Sequence, residues 1–121
     1  MNEKLEKAVT LFNDGRFSEF QDALEAMTSD TRAASERQFY TLMDNLAEAL
    51  LQFSDGDLGD AEEMIAVSLR KLDDFMPRFR GLNIEALRDD FRRVLVEIRA
   101  ARAGKAEAAP SKLPRLRALP E

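Results

Sequence analysis

The chain of 121 residues is long enough for one domain with its own hydrophobic core. Its hydrophobic fraction of 45% and charged fraction of 34% are typical of a helix-rich globular protein. The absence of cysteine and histidine excludes disulfides, thiolate ligands, cysteine nucleophiles and the commonest general base.

The apolar segments and the charge distribution limit where the protein can be located and which partners it can bind. No apolar run approaches the roughly 20 residues of a membrane span. The N-terminal residues lack the apolar core of a signal peptide, so we expect a cytoplasmic protein without a membrane partner. The net charge of −5 is uneven, because residues 1–74 hold 17 acidic and 7 basic side chains and residues 75–121 hold 6 and 11. A basic C-terminal part indicates either nucleic-acid binding or docking against the acidic part.

Apolar residues at helical spacing predict five helices. The first covers about residues 2–14 and is capped by Asn2. The second begins near Ser18, which forms a capping-box pattern with Gln21. A second pattern of this kind places the start of the third helix between about residues 31 and 36.

The third helix, over residues 33–53, is the longest uninterrupted pattern and the predicted centre of the fold. Tyr40 and Leu51 add apolar surface on the side opposite its main stripe. A helix that is apolar on more than one side must be covered by more than one neighbour. The main stripe recurs at three- and four-residue steps and consists of Phe39, Leu42, Met43, Leu46, Leu50 and Phe53.

The fourth helix is predicted over residues 59–74, before Pro77, which prevents its continuation. The fifth begins after the capping residue Asn83 and stops at Gly104. No segment shows the alternation that is typical of a strand. These patterns predict an all-α fold, a bundle of about five helices in two stacked antiparallel hairpins with a closing C-terminal helix.

The C-terminal segment, residues 104–121, differs in composition from the rest of the chain. It holds three of the four prolines and is mildly basic. Such a composition is typical of disorder. We therefore predict a helical domain over residues 1–103, followed by a disordered tail.

The chain contains a short internal repeat at the ends of its first and third helices. The sequence FNDGRFSE at residues 12–19 aligns with FSDGDLGD at residues 53–60, at an offset of 41 residues. Both read as a helix closed by Asp-Gly, a tight reversal and a new helix. Two such hairpins, stacked on each other, would bury faces that neither covers alone. Coincidence at two ordinary Asp-Gly turns is the alternative interpretation.

Four short segments follow one another along the chain: GRFSEFQDALE (15–25), LAEAL (46–50), GDLGDA (56–61) and GLNIEAL (81–87). In this order they resemble the small bacterial helical family known as domain of unknown function 309. The resemblance covers about residues 8–98. It implies a helical bundle and no assigned activity.

The chain departs from this family at its most distinctive positions. Gln21 stands where the family has a histidine and Thr28 where it has a tryptophan, whereas Glu25 matches. The glutamine usual in the third helix falls at Asn45. The resemblance therefore implies Gln21, Glu25 and Asn45 as candidate binding residues. The alternative is that Gln21 and Glu25, one turn apart, form a partly buried hydrogen-bonded pair that holds the second helix.

Acidic side chains on two helices allow a second interpretation. Glu19, Asp22 and Glu25 lie three residues apart on the second helix. Asp60 and Glu63 repeat this spacing on the fourth helix. If the two sets faced each other, their oxygens would suit Mg²⁺ in a phosphohydrolase. Otherwise, acids in the first turn serve the helix dipole and solubility.

The fifth helix carries a candidate basic surface at Arg88, Arg92 and Arg99. Together with the tail, this surface would suit a nucleic acid. Acidic residues three or four positions from these arginines favour a self-paired helix surface instead.

Asp44 and Glu48 lie one turn apart on the third helix, opposite its main apolar stripe. They form an exposed acidic strip unless another element covers them. If they are covered they need partners, for which Arg80, Arg88 and Arg92 are the candidates.

These observations together favour a non-catalytic helical interaction or scaffold protein, because the chain has no nucleophile–base set and repeats a helix hairpin. The expected partner is another protein or a second copy of the chain. We predict no catalytic residue, no metal and no cofactor. The alternatives are a nucleic-acid-binding protein that uses the C-terminal helix and tail, and a magnesium-dependent phosphohydrolase.

Overall fold

The structure, a computed structural model, describes residues 2–107 and 109–120 and confirms the predicted all-α helical bundle. Its helices in the described residues are α1 (Glu3–Asn13), α2 (Phe17–Asp30), α3 (Ala34–Ser54), α4 (Leu58–Leu72) and α5 (Ile84–Arg102). A 3₁₀ turn at Asp73–Phe75 and a small hairpin, β1 (Arg78–Phe79) and β2 (Leu82–Asn83), connect α4 to α5. Within the described residues, no helix is long and apolar enough to cross a membrane.

Side-chain caps form at two of the four predicted positions. Asn2 accepts a hydrogen bond from the amide of Leu5 at 2.8 Å, and Asn83 caps α5 in the same way. The capping box predicted at Ser18 is wrong, because α2 begins at Phe17 and leaves this serine inside the first turn. The predicted box at the start of α3 is also absent in the described chain, where that helix begins without a side-chain cap. Phe17, the first residue of α2, is buried directly after the turn.

The third helix is central, as predicted. It packs against α2 on one side and against α4 on the other, while α1 covers α2 and α5 covers α4. The six residues of its main apolar stripe are all buried, and so is Tyr40 on the opposite side. Each buried leucine or phenylalanine contributes about 1.5–3 kcal/mol to folding. Aromatic contacts extend this core to the ends of the bundle, with Phe12 and Phe20 rings 5.0 Å apart and Phe39 and Phe79 rings 4.7 Å apart.

The turns after α1 and α3 have the same geometry. Gly15 and Gly56 both adopt left-handed conformations, with φ of 76° and 84°. In each turn the following residue donates a hydrogen bond five residues back, from Arg16 to Leu11 and from Asp57 to Gln52. This is the Schellman motif. The repeated sequence therefore forms the same helix-ending turn twice.

The structure differs from the sequence prediction at the C-terminus. Residues 109–120 lie against the bundle, where Pro114 and Leu116 are buried. Ala118 forms an antiparallel bridge with Leu82, beside the β-hairpin. The composition of this segment is that of a disordered tail, but two apolar side chains and specific partners on the bundle hold it.

Replacing Gly15 or Gly56 by alanine should lower the free energy of unfolding by about 1–2 kcal/mol, because a left-handed backbone costs an L-residue about that much. Gly59 provides the control, since it lies in α4 and an added Cβ meets nothing closer than the Arg102 guanidinium at 3.8 Å. There, alanine should leave stability unchanged or raise it by up to about 1 kcal/mol. Urea denaturation of the three variants measures the effect, and equal losses at all three glycines would contradict the turn geometry.

Candidate functional site

An open groove runs along the outer side of α3, between α2 and α4. It consists of three adjoining depressions of about 460, 630 and 310 Å³. Thr28 and Thr41 line both the first and the second depression, and Asn45 lines both the second and the third. We call this surface the α3 groove. Its polar lining comprises Gln21, Asp22, Glu25, Thr28, Ser29, Arg37, Gln38, Tyr40, Thr41, Asp44, Asn45, Gln52, Asp60, Glu63, Ser68, Lys71 and Asp74.

The groove contains all three residues that the family resemblance implies. Gln21 and Glu25 line its first depression, and Asn45 lies between the other two. The amide of Gln21 donates long hydrogen bonds across to α3, to the Asp44 carbonyl at 3.4 Å and to Glu48 Oε1 at 3.3 Å. Gln21 therefore links α2 to α3, and its hydrogen bonds among the described residues go to Asp44 and Glu48, not to Glu25.

Asp44 is the acidic residue whose pKa is shifted most clearly by its surroundings. Partial burial raises the pKa of its carboxyl group, and the charges of Glu48 and Glu25 raise it further. The amide of Gln21 acts in the opposite direction. This end of the groove therefore concentrates negative charge in a half-buried position.

The arginines expected to partner Asp44 and Glu48 lie elsewhere. Arg80 pairs with Glu36, and Arg92 lies 3.9 Å from Asp89. The partner of Glu48 is the amide of Gln21 instead. The predicted pairing of these acids with the C-terminal arginines is therefore not observed among the described residues.

The acids proposed to hold Mg²⁺ do not form one cluster. Glu19 is not among the residues that line the groove, and it accepts a 2.9 Å hydrogen bond from Arg16. Asp22 and Glu25 line the first depression, while Asp60 and Glu63 line the third. Across the part of the chain that the structure describes, no group of three or more such side chains is placed to hold a metal ion.

Two sets of acidic side chains differ in their partners. Seven lie in ion pairs: Glu19, Asp30, Glu36, Glu62, Asp89, Asp90 and Glu97. Six others line the α3 groove and make no ion pair within residues 2–107 and 109–120: Asp22, Glu25, Asp44, Asp60, Glu63 and Asp74. The groove also holds the basic residues Arg37 and Lys71. The α3 groove is therefore a net acidic surface.

A polar acceptor without a donor lies in the same groove. Gln52 lines its third depression, and the Oε1 atom of this residue is buried with no hydrogen-bond partner among the described atoms. A buried acceptor in this state carries a desolvation cost of about 1–3 kcal/mol. A donor brought by a bound molecule would remove that cost.

The candidate basic surface on α5 is largely neutralised by neighbouring acids. Arg99 lies 3.7 Å from Glu62, which also receives a hydrogen bond from Arg102. Arg92 faces Asp89 at 3.9 Å. The Nε atom of Arg88 is buried. These arginines therefore do not form a continuous exposed cationic row.

Sequence reasoning missed most of the groove floor. The sequence feature that could have revealed this floor is a second stripe of polar residues on α3. This stripe lies opposite the apolar one and also recurs at three- and four-residue steps. The groove-lining members of this stripe are Gln38, Thr41, Asn45 and Gln52. Uncharged polar residues along the central helix of a bundle indicate a face that neither neighbouring helix covers.

Comparison of the chain with protein-family models, characterised proteins and solved structures yields no match. The resemblance to the domain of unknown function 309 rests on the short motifs alone and stays a prediction.

Replacing Asp44 by asparagine should stabilise the protein at neutral pH. The folded-state pKa of Asp44 lies above its unfolded value, so the folded protein binds this proton more tightly. The stability contributed by Asp44 therefore falls as the pH rises through the raised pKa. The gain in the variant should shrink as the pH falls towards about 4, the ordinary pKa of aspartate.

Thermal unfolding between acid and neutral pH measures this effect. Asp22→Asn is the control, because it removes the same charge from an exposed position in the same depression. If both variants changed stability equally at every pH, the effect would be one of net charge and the burial argument for Asp44 would fail.

Proposed function

We propose that the protein is a non-catalytic interaction module, which binds a basic segment of a partner protein in the α3 groove. The observation that carries this proposal is the excess of acidic over basic side chains in the groove, six against two. These six carboxylates make no ion pairs in the described chain, whereas Glu62 facing α5, and Asp90 and Glu97 on α5, are paired with arginines. A Lys- or Arg-rich segment complements such a surface.

Hydrogen bonding supports the same choice of partner. The groove is rich in acceptors, including six carboxylates and the buried Oε1 of Gln52. Lysine and arginine side chains bring three and five N–H donors and no acceptor. A cation next to Asp44 also offsets the repulsion from Glu25 and Glu48 that raises the pKa of Asp44.

The alternatives receive less support from the same surface. An acidic groove repels the phosphates of a nucleic acid, and Arg92, Arg99 and Arg102 of α5 face carboxylates at 3.2–3.9 Å. The acids suggested for Mg²⁺ lie in separate depressions. Without histidine or cysteine, the groove has no common general base beside its carboxylates. We place this interaction in the cytoplasm, in line with the expectation from the sequence.

Binding of a labelled peptide of alternating arginine and alanine tests the proposal. We expect fluorescence anisotropy to show binding that weakens with salt, because exposed ion pairs are screened over about 8–10 Å. The double variant Glu25→Gln with Glu63→Gln should raise the Kd roughly 2- to 30-fold, since each exposed pair contributes about 0.2–1 kcal/mol.

Glu3→Gln with Glu6→Gln is the matched control, because these exposed acids on α1 lie outside the groove. It carries the same change in net charge and should leave the Kd within about twofold, within the usual scatter of surface substitutions. Equal weakening by both double variants would contradict a groove-specific site. Binding of single-stranded DNA that is lost on neutralising Arg92 and Arg99 would favour the nucleic-acid alternative.

A further inference from the structure

The C-terminal segment retraces α5 in the opposite direction. Near the end of the helix, Glu97 accepts hydrogen bonds from the amide and hydroxyl of Ser111, at 2.8 and 2.7 Å. Two turns earlier, Asp90 accepts a hydrogen bond from the amide of Arg115 at 3.1 Å. At the start of the helix, Leu119 donates to the Gly81 carbonyl at 2.8 Å. We call residues 111–119 the C-terminal strap.

Leu116 is the anchor of the strap. Its side chain is buried, with 3% exposed, and belongs to the same core as the helices. The side-chain amide of Asn13 at the end of α1 holds the backbone of Leu116 from both sides, donating to its carbonyl at 2.9 Å and accepting from its amide at 2.8 Å. Such two-point contact needs a backbone N–H and C=O, which every residue except proline supplies.

The end of the strap lies against the edge of the β-hairpin and pairs with it at a single bridge. Ala118 forms an antiparallel bridge with Leu82, and Asn83 donates to the carbonyl of Arg117 at 2.9 Å. Addition of an extended segment to a sheet edge is a common way for proteins to bind peptides. The backbone supplies affinity and one or two side chains supply specificity.

The residues on either side of Leu116 in the strap contact the carboxylate of Asp90. The side chain of Asp90 is only 13% exposed and therefore needs partners. Arg93 on α5 lies 3.5 Å from one of its oxygens, and the strap supplies two closer partners for the other, Arg117 at 2.9 Å and the amide of Arg115 at 3.1 Å. The surface under the strap thus combines a pocket for a leucine, a carboxylate for a neighbouring arginine and a sheet edge for the backbone.

We propose that the surface between α1 and α5 is a binding site for an extended peptide with the pattern Arg-Leu-Arg, and that the strap is its intramolecular occupant. A partner segment with the same pattern displaces the strap and takes over its contacts. The site is separate from the α3 groove, so it stands or falls independently of the function proposed above.

The strap is built to leave without unfolding the helices. Leu116 is its one large side chain in the core of the described residues, whereas Leu113 remains 41% exposed. The helices bury the other apolar side chains of the core and pack directly on one another. Segments with few buried contacts open locally, well below the free energy of global unfolding.

Hydrogen exchange on the wild-type chain tests the detachment. The backbone amides of Asn83, Leu116 and Leu119 donate the hydrogen bonds that join the strap to the bundle. We expect these amides to exchange at least 100-fold faster than the amide of Ile98 inside α5. Exchange of all four at the same rate would show that the strap opens only with the whole fold, which would overturn the proposal.

Binding in trans tests the site itself. The probe is a labelled synthetic peptide of residues 111–119, SKLPRLRAL. The full chain with Leu116→Ala should bind it at least tenfold more tightly than the wild type, whose own strap competes at a high effective concentration. Leu113→Ala is the matched control, because it shortens an exposed leucine of the same strap and should behave as the wild type.

A probe in which the leucine at the Leu116 position is alanine should not bind any of the three proteins. If the Leu116→Ala chain stays helical by circular dichroism but does not bind the wild-type probe, the site is not a peptide-binding site. If that variant fails to fold, the exchange experiment on the wild type decides, because a strap essential to folding would show global protection.

Discussion

Burial of α3 on two sides is the constraint from which the other features follow. Its apolar residues face α2 and α4 at the same time, so those two helices must flank it. Two flanking helices leave a third side of α3 open, and that side carries Thr41 and Asn45. A groove with a polar floor is the geometric consequence of packing a three-helix layer around a helix with one uncovered stripe.

The same layer determines which acids find partners. Glu62 on α4 faces α5 and meets Arg99 and Arg102, whereas Glu63, the next residue, points into the groove and meets no base among the described residues. Adjacent positions on a helix differ by about 100° in direction, so neighbours in sequence face different surfaces. The uneven charge of the chain is thus resolved by docking its basic end onto selected acids, which leaves the α3 side acidic.

The fold was more predictable than the candidate site. The periodicity of Leu42, Leu46 and Leu50 depends only on the local geometry of a helix, so it is readable without knowing the neighbours. Turns such as that at Gly15 are local in the same way. Gln21 could be singled out by resemblance, but its contact with Glu48 joins residues 27 positions apart. No pattern within one helix specifies such a pair.

The C-terminal strap shows the difference between what local sequence patterns predict and what tertiary contacts decide. By its own composition the segment is polar and rich in proline, and such segments lack the apolar content to fold alone. Its order depends on Asn13, which is 103 residues away in sequence, and on Asp90. The sequence by itself determined the helices, their core-facing stripes and the two glycine turns, because these depend on interactions between residues within a few positions of each other. The open side of α3, the division of the acids and the docking of the strap were decided only by tertiary structure, because each requires side chains from distant segments to meet.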